Sequence, residues 1–171
     1  MIELERTFLA KSIPENLLQF KSKEVIDIYY PLSHPHPTLR LRKNGEKYEM
    51  TKKEPIGGST TEMLEQTIKL RKDEFDEFSK IPGKKVHKIR YFYPHEGVTA
   101  EIGVFQGDLR GLVLVDFEFK DKNEKDSFVM PDFCLAEIKH EEGLAGGMLC
   151  GKKIGDVQSI LDKYNYKKIE F

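Results

Sequence analysis

The chain has 171 residues, of which 39% are hydrophobic and 33% charged, and its formal net charge is −1. That length is expected to make one domain spanning residues 1–171, with a sizeable core. The near-neutral balance argues against nonspecific nucleic-acid binding, which needs a basic surface, and no apolar run approaches the roughly 20 residues of a membrane span. In chain order, strands are predicted for IELERTFL (2–9), EVIDIYY (24–30), TLRLRK (38–43), KYEMTKK (47–53), EQTIKL (65–70), KVHKIRYFY (85–93), TAEIGVF (99–105) and GLVLVDFEF (111–119). Helices are predicted for PENLLQFKS after Pro14, for KDEFDEFSKI (72–81), and for IGDVQSILDKYN (154–165), where Ile154, Val157, Ile160 and Leu161 have helical spacing. Asn44-Gly45 between two alternating runs is a two-residue hairpin signal, and YPHEG and FQGDLRG supply further turns. Short alternating strands with few helices predict a mainly β (α+β) antiparallel barrel or a strongly curved sheet.

Several of these strands carry charged pairs at i, i+2, a spacing that puts both side chains on one face. The acids are Glu3/Glu5 and Asp116/Glu118, with Glu101 preceding Gly103; the bases are Arg40/Arg42 and Lys88/Arg90, with Lys53 beside Thr51. Between them lie Leu39, Leu41, Ile89, Val115, Phe117 and Phe119, which are expected to form an apolar layer on the opposite face. Any one pair also fits an ordinary solvated sheet face. As a set, acids fall on three strands and cations on three others. That separation suits a polyanion held by the bases while a divalent cation bridges it to the acids. Arginine's planar fork donates two hydrogen bonds to phosphate, and carboxylates are the hard ligands that Mg²⁺ or Mn²⁺ prefers.

In this order the motifs resemble those of the CYTH domain, or triphosphate tunnel metalloenzyme, family. Glu3-Leu4-Glu5-Arg6-Thr7 resembles its N-terminal Glu-x-Glu-x-Lys. Arg40-Leu41-Arg42, Thr51-Lys52-Lys53 and Lys88-Ile89-Arg90 resemble its basic strands. Glu101-Ile102-Gly103-Val104-Phe105 and GLVLVDFEF resemble its later acidic strands. The likeness runs from residue 2 to about 119. It implies an eight-stranded antiparallel β-barrel forming a tunnel, with a few peripheral helices, that hydrolyses a triphosphate group with Mg²⁺ or Mn²⁺. Arg40, Arg42, Lys53, Lys88 and Arg90 would bind the phosphates of the substrate. Glu3, Glu5, Glu101, Asp116 and Glu118 would hold metal, with Glu3, Glu5 and Glu118 catalytic. Two alternatives stay open: a class IV-type adenylate cyclase, and a non-catalytic polyphosphate- or nucleotide-binding module. Thr7 stands where the motif has lysine and Gly103 where it has aspartate, which removes one cation and one potential metal ligand; Arg6 has the wrong parity to replace the lysine.

The remaining features carry less. His34 and His36 in LSHPHP lie between prolines and are expected to be a rigid loop rather than a metal site. Glu65 and Thr67 are placed either in the tunnel or on its surface, and Glu137 near an acidic position late in the family pattern. GLAGGMLCGK lacks the ending of a phosphate-binding loop and is expected to be a plain loop; KDKNEKD is expected to be a solvated turn. Cys134 and Cys150 lack zinc-type spacing and are expected to be reduced thiols. With no signal-peptide pattern at the N-terminus, the expectation is a cytoplasmic monomer or homodimer acting on a small-molecule triphosphate, away from membranes and nucleic acid.

Overall fold

The computed structural model describes residues 4–57 and 63–171. Nine strands build one antiparallel sheet: β1 (Glu5–Ala10), β2 (Ser22–Tyr30), β3 (Leu39–Asn44), β4 (Lys47–Pro55), β5 (Met63–Leu70), β6 (Lys84–His95), β7 (Val98–Phe105), β8 (Val113–Glu118) and β9 (Cys134–Glu137). Their order is β5-β4-β3-β2-β6-β7-β8-β1-β9. Side chains from β3 and β1, five ladders apart, line one cavity, so the sheet curls around it. The antiparallel, mainly β class and the tunnel-like hollow therefore stand. Strand number and closure are corrected: the described residues form nine strands rather than eight, and among them β5 and β9 are two unjoined edges.

The alternation predicted from sequence sorts the two faces. On the convex side Phe8, Ile102, Val115 and Phe117 are fully buried in one cluster, and Leu41 sits in a second beneath the short helix α1 (Lys72–Phe78), whose Phe75 and the neighbouring Tyr48 stack at 5.2 Å. Each such side chain contributes about 1.5–3 kcal/mol by leaving water. The concave side is charged except at one end, where Leu9, Val86, Phe105 and Leu114 meet Leu144, Leu149 and Leu161 from the last third of the chain. Tyr166 pins that third to β8: its buried hydroxyl donates to the Gly111 carbonyl at 2.7 Å and accepts from the Val113 amide at 2.9 Å. Residues 138–149 are thereby held as a roof across the hollow.

Several local predictions shift. PENLLQFKS forms only a 3₁₀ turn, Leu17–Gln19, because Asn16 turns left-handed at φ 61° and the chain re-enters the sheet at Ser22. The hairpin near Asn44 moves one residue on: Asn44 pairs with Lys47, and Gly45 takes the positive φ of 61°. The C-terminal segment divides into a 3₁₀ turn, Ile154–Val157, and a short helix. KDKNEKD is not a turn but the helix α2 (Lys122–Ser127), capped by the Asp121 carboxylate, which accepts from the Glu124 amide at 2.9 Å. GLAGGMLCGK includes the four-residue helix α3 (Gly146–Leu149), and the C-terminal helix α4 spans Gln158–Lys163. No helix among the described residues is long and apolar enough to cross a membrane.

Candidate active site

The concave face is a set of cross-strand neighbours. On one wall Arg40 lies opposite Thr51 and Tyr29, and Arg42 opposite Asp27. Val25 of β2 lies opposite Lys88 of β6, and Lys23 opposite Arg90. On the other wall Glu101 lies opposite Asp116, Asp116 opposite Thr7, and Glu118 opposite Glu5. The two walls meet where Arg90 reaches Glu101 at 3.0 Å. Between them and the roof lies a cavity of about 580 Å³, lined by Arg40, Arg42, Lys88, Arg90, Glu5 and Asp116 among others. The i, i+2 pairs of the sequence thus converge on one hollow, with bases and acids on separate sides. Glu101 and Glu118 continue the acidic row just past the lining. Lys53 lines a smaller pocket of about 150 Å³, which shares Tyr29 and Arg40 with the first. Glu3 lies outside the described residues.

The two arginines differ in what they have left to donate. Arg42 gives Nε and Nη2 to the carboxylate of buried Asp27, at 2.7 and 2.8 Å, so only the far end of its guanidinium is left for a ligand. Arg40 has its Nη2 at 3.8 Å from Glu49, and its Nε is buried without a hydrogen-bond partner. An orphaned buried donor costs about 1–3 kcal/mol, and a phosphate oxygen in the cavity would relieve it. Asp27 was not among the residues singled out from sequence. Its signal was present as one acid in the apolar run Val25-Ile26-Asp27-Ile28, in phase with Tyr29.

Burial, reinforced by Arg90, pushes the Lys88 ammonium below its ordinary pKa, while Asp116 and Asp27 pull it back up. Glu101 is raised, first by burial and then by the like charges of Glu118 and Asp116, against the opposing effect of Arg90. Gly103 leaves an opening that Lys88 fills: a Cβ there would stand 3.3 Å from the lysine Cδ. Thr7, in place of a lysine, donates from Oγ1 to Asp116 at 2.7 Å. The acidic row therefore offers hard oxygen donors that repel one another, the chemistry that a divalent cation satisfies. Among the described residues no three acidic, histidine or cysteine side chains are already gathered as a metal cluster.

Other candidates are accounted for locally. Glu137 of β9 also lines the hollow; it lies opposite Phe8 and takes Arg6 in a two-pronged pair at 2.8 and 3.1 Å, and the same guanidinium also donates to the Phe128 carbonyl. Arg6 is on the face that its parity predicts. Glu65 and Thr67 belong to the concave register yet are exposed; Thr67 shares a hydrogen bond with Thr51, and Glu65 pairs with Lys53 at 3.0 Å. His34 Nδ1 accepts from the His36 amide, which fits the loop expectation. Cys134 and Cys150 are buried, and burial drives both thiols up to about 12, far from reactivity at neutral pH.

No family model matches the chain. An inorganic triphosphatase of Nitrosomonas europaea is 29% identical over 143 residues, which cover 83% of this chain and 92% of that protein. The solved structure of the inorganic triphosphatase NE1496 superposes with a TM-score of 0.71 and 25% identity, over 89% of this chain and 96% of that one. A second structure, of the hypothetical protein NE1496, gives 0.74 and 27%, over 89% and 99%. The ordered motifs lie on the facing walls of one curled antiparallel sheet, and the chain is similar in sequence and fold to inorganic triphosphatases over nearly the whole of their length.

Proposed function

We propose that the chain hydrolyses the terminal anhydride of a triphosphate bound in the hollow, with inorganic tripolyphosphate as the first substrate to test. The observation that carries this reading is the pair of opposed walls around one cavity, with Arg40 Nε buried and unpartnered on the basic side. Arg40 and Arg42 hold non-bridging phosphate oxygens, Lys88 and Arg90 extend that cradle toward the acids, and Lys53 serves the end nearest the smaller pocket. Glu5, Glu101, Asp116 and Glu118, together with Glu3, are the donors for Mg²⁺ or Mn²⁺. When bound, the ion would withdraw charge from the phosphates and lower the pKa of an attacking water. The chain's own part is to align the polyanion along the cationic wall, with its reacting phosphorus toward the acids, and to keep the developing charge close to fixed ammonium and guanidinium groups. The N. europaea relative's name, inorganic triphosphatase, supports this substrate class.

The test is a panel of tripolyphosphate, ATP and thiamine triphosphate with Mg²⁺ or Mn²⁺, read by phosphate release. Orthophosphate is the expected product, cyclic AMP with pyrophosphate would select a cyclase, and tight binding without turnover would select a binding module. Tripolyphosphate should also stabilise the protein, by about 2.7 kcal/mol at roughly 100 times its Kd. No rise in Tm at millimolar tripolyphosphate, with or without metal, would remove the hollow as its site.

Lys88 sets an expected pH dependence. Its folded pKa lies below the ordinary lysine value of about 10.4. In the window between the two the unfolded chain holds the extra proton, so Lys88's contribution makes stability rise with pH there. A polyanion favours the ammonium, so tripolyphosphate affinity should fall as pH climbs through that window. Lys88→Arg stays charged and should flatten the fall; an unchanged profile by calorimetric titration would show that Lys88 does not meet the phosphates.

A further inference from the structure

Thr7 and Asp116 stand directly opposite each other on β1 and β8, and both line the hollow. Opposed side chains in an antiparallel pair have Cβ atoms about 4.5–5.5 Å apart, within reach of one hydrogen bond. The Thr7 hydroxyl makes that bond, donating from Oγ1 to Asp116 Oδ1 at 2.7 Å, the short length of a hydroxyl on a carboxylate. A β-branched side chain is stiff about χ1, so the donor is itself held in place. The second oxygen of Asp116 accepts no hydrogen bond, and the carboxylate has no ion-pair partner, among the described residues. Its neighbours are engaged differently. Glu101, across the other ladder, meets Arg90 at 3.0 Å, and it feels the like charges of both Asp116 and Glu118. An unheld carboxylate in this row would turn away from that repulsion or lean toward the ammonium of Lys88, which Asp116 attracts. The hydroxyl prevents the turn and, being neutral, leaves the full charge available to a cation.

We propose that Thr7 is a positioning residue for the divalent cation: it fixes the orientation of the Asp116 carboxylate and thereby sets the cation affinity of the acidic row. The proposal rests on the metal-assisted reading above and deepens it, by giving a role to an uncharged residue beside the acids. A partner that fixes a metal-binding group typically governs 10–100-fold in metal affinity, because the group no longer has to be ordered when the ion arrives. Thr7 acts through Asp116 alone, so its effect should vanish when that carboxylate is absent. It leaves the cationic wall untouched, so anion binding without metal should not depend on it.

The experiment is a Mn²⁺ titration of the full chain, with free Mn²⁺ read by electron paramagnetic resonance, in the presence and absence of tripolyphosphate. Thr7→Val keeps the shape and the branching but loses the hydroxyl, and should bind Mn²⁺ roughly 10- to 100-fold more weakly. Thr7→Ser keeps the hydroxyl and should recover most of that loss. In an Asp116→Ala background, Thr7→Val should weaken Mn²⁺ binding no further, the signature of two residues acting as one unit. Metal-free calorimetry with tripolyphosphate should give the same affinity for Thr7→Val as for wild type, and circular dichroism melting confirms that each variant is folded. Thr7→Val binding Mn²⁺ as tightly as wild type, Thr7→Ser binding as weakly as Thr7→Val, or additive losses in the double variant would each overturn the positioning role and leave the metal-assisted reading standing. Equal losses of Mn²⁺ and metal-free tripolyphosphate affinity would do the same, by making Thr7 a structural part of the wall. No Mn²⁺ binding by wild type, with or without tripolyphosphate, would overturn the metal-assisted reading itself and the positioning role with it.

Discussion

Replacing Arg42 by alanine is expected to lower both stability and anion affinity, whereas replacing Arg40 should lower affinity alone. Asp27 is 9% exposed and accepts both of its hydrogen bonds from Arg42, so truncation leaves a carboxylate in the wall without its counter-ion. Breaking a buried pair in this way costs about 3–5 kcal/mol. The Arg42 side chain is 30% exposed, so solvent screening reduces that to about 2–3 kcal/mol, a fall in Tm of roughly 5–10 °C for a chain of this size. Loss of a charge-assisted donor to phosphate removes about 1.5–3 kcal/mol more, or roughly 10- to 150-fold in tripolyphosphate affinity. Arg40 makes no such pair, and its Nε already lacks a partner, so Arg40→Ala should leave Tm near wild type while weakening binding to a similar degree. Thermal melts and metal-free calorimetry on both variants decide this; equal loss of Tm in the two would show that the Asp27 pair does not stabilise the wall.

Replacing Asp116 by asparagine is expected to move turnover and metal-free binding in opposite directions. Asp116 is the middle of the acidic row, with Glu101 across one ladder and Thr7 across the other, and its charge helps to raise the Glu101 pKa. Asparagine keeps the shape and still accepts the Thr7 hydroxyl, so the fold should be unaffected. The missing charge removes a hard ligand, and metal-supported phosphate release should fall by roughly 100-fold, as for loss of about 2.7 kcal/mol of charge stabilisation. Without metal, the same change removes repulsion from the anion, and tripolyphosphate should bind at least as tightly as to wild type. A variant that lost turnover and metal-free binding together would place Asp116 in the architecture rather than beside the metal.

Sequence legibility followed period and charge. All eight predicted strands are present because each is a run of alternating residues long enough to show its phase, and that phase put Arg40, Arg42, Lys88, Arg90 and Asp116 on one face. The ninth strand, Cys134–Glu137, is four residues long, too short for alternation to register. Asp27 was hidden because one acid among Val25, Ile26 and Ile28 shows its purpose only when Arg42 arrives across the ladder. The pairing of Glu137 with Arg6 was hidden for the same reason, since only the register of β9 on β1 brings the two together. The helix Lys122–Ser127 could have been read, since Asp121 and Glu124 have capping-box spacing; Asp121 accepts the expected Glu124 amide, while Glu124 reaches one residue further back, to the Lys120 amide. Closure of the barrel was not readable, because it depends on whether two distant edges meet and no local pattern encodes that.

The apolar end of the hollow also decides how the molecule breathes. Leu9, Leu112, Leu149 and Leu161 are fully buried there, so the roof and the β6–β8–β1 wall share one core and cannot part without exposing it. Amide protons of that wall should therefore exchange with solvent only in openings close to global unfolding. The β4–β5 side has only Tyr48 and Thr51 buried in β4, while residues 52–55 and 64–69 are exposed and loosen at smaller cost. On the function proposed above, a polyanion would enter past the compliant wall, while the opposite wall keeps the reacting groups in place.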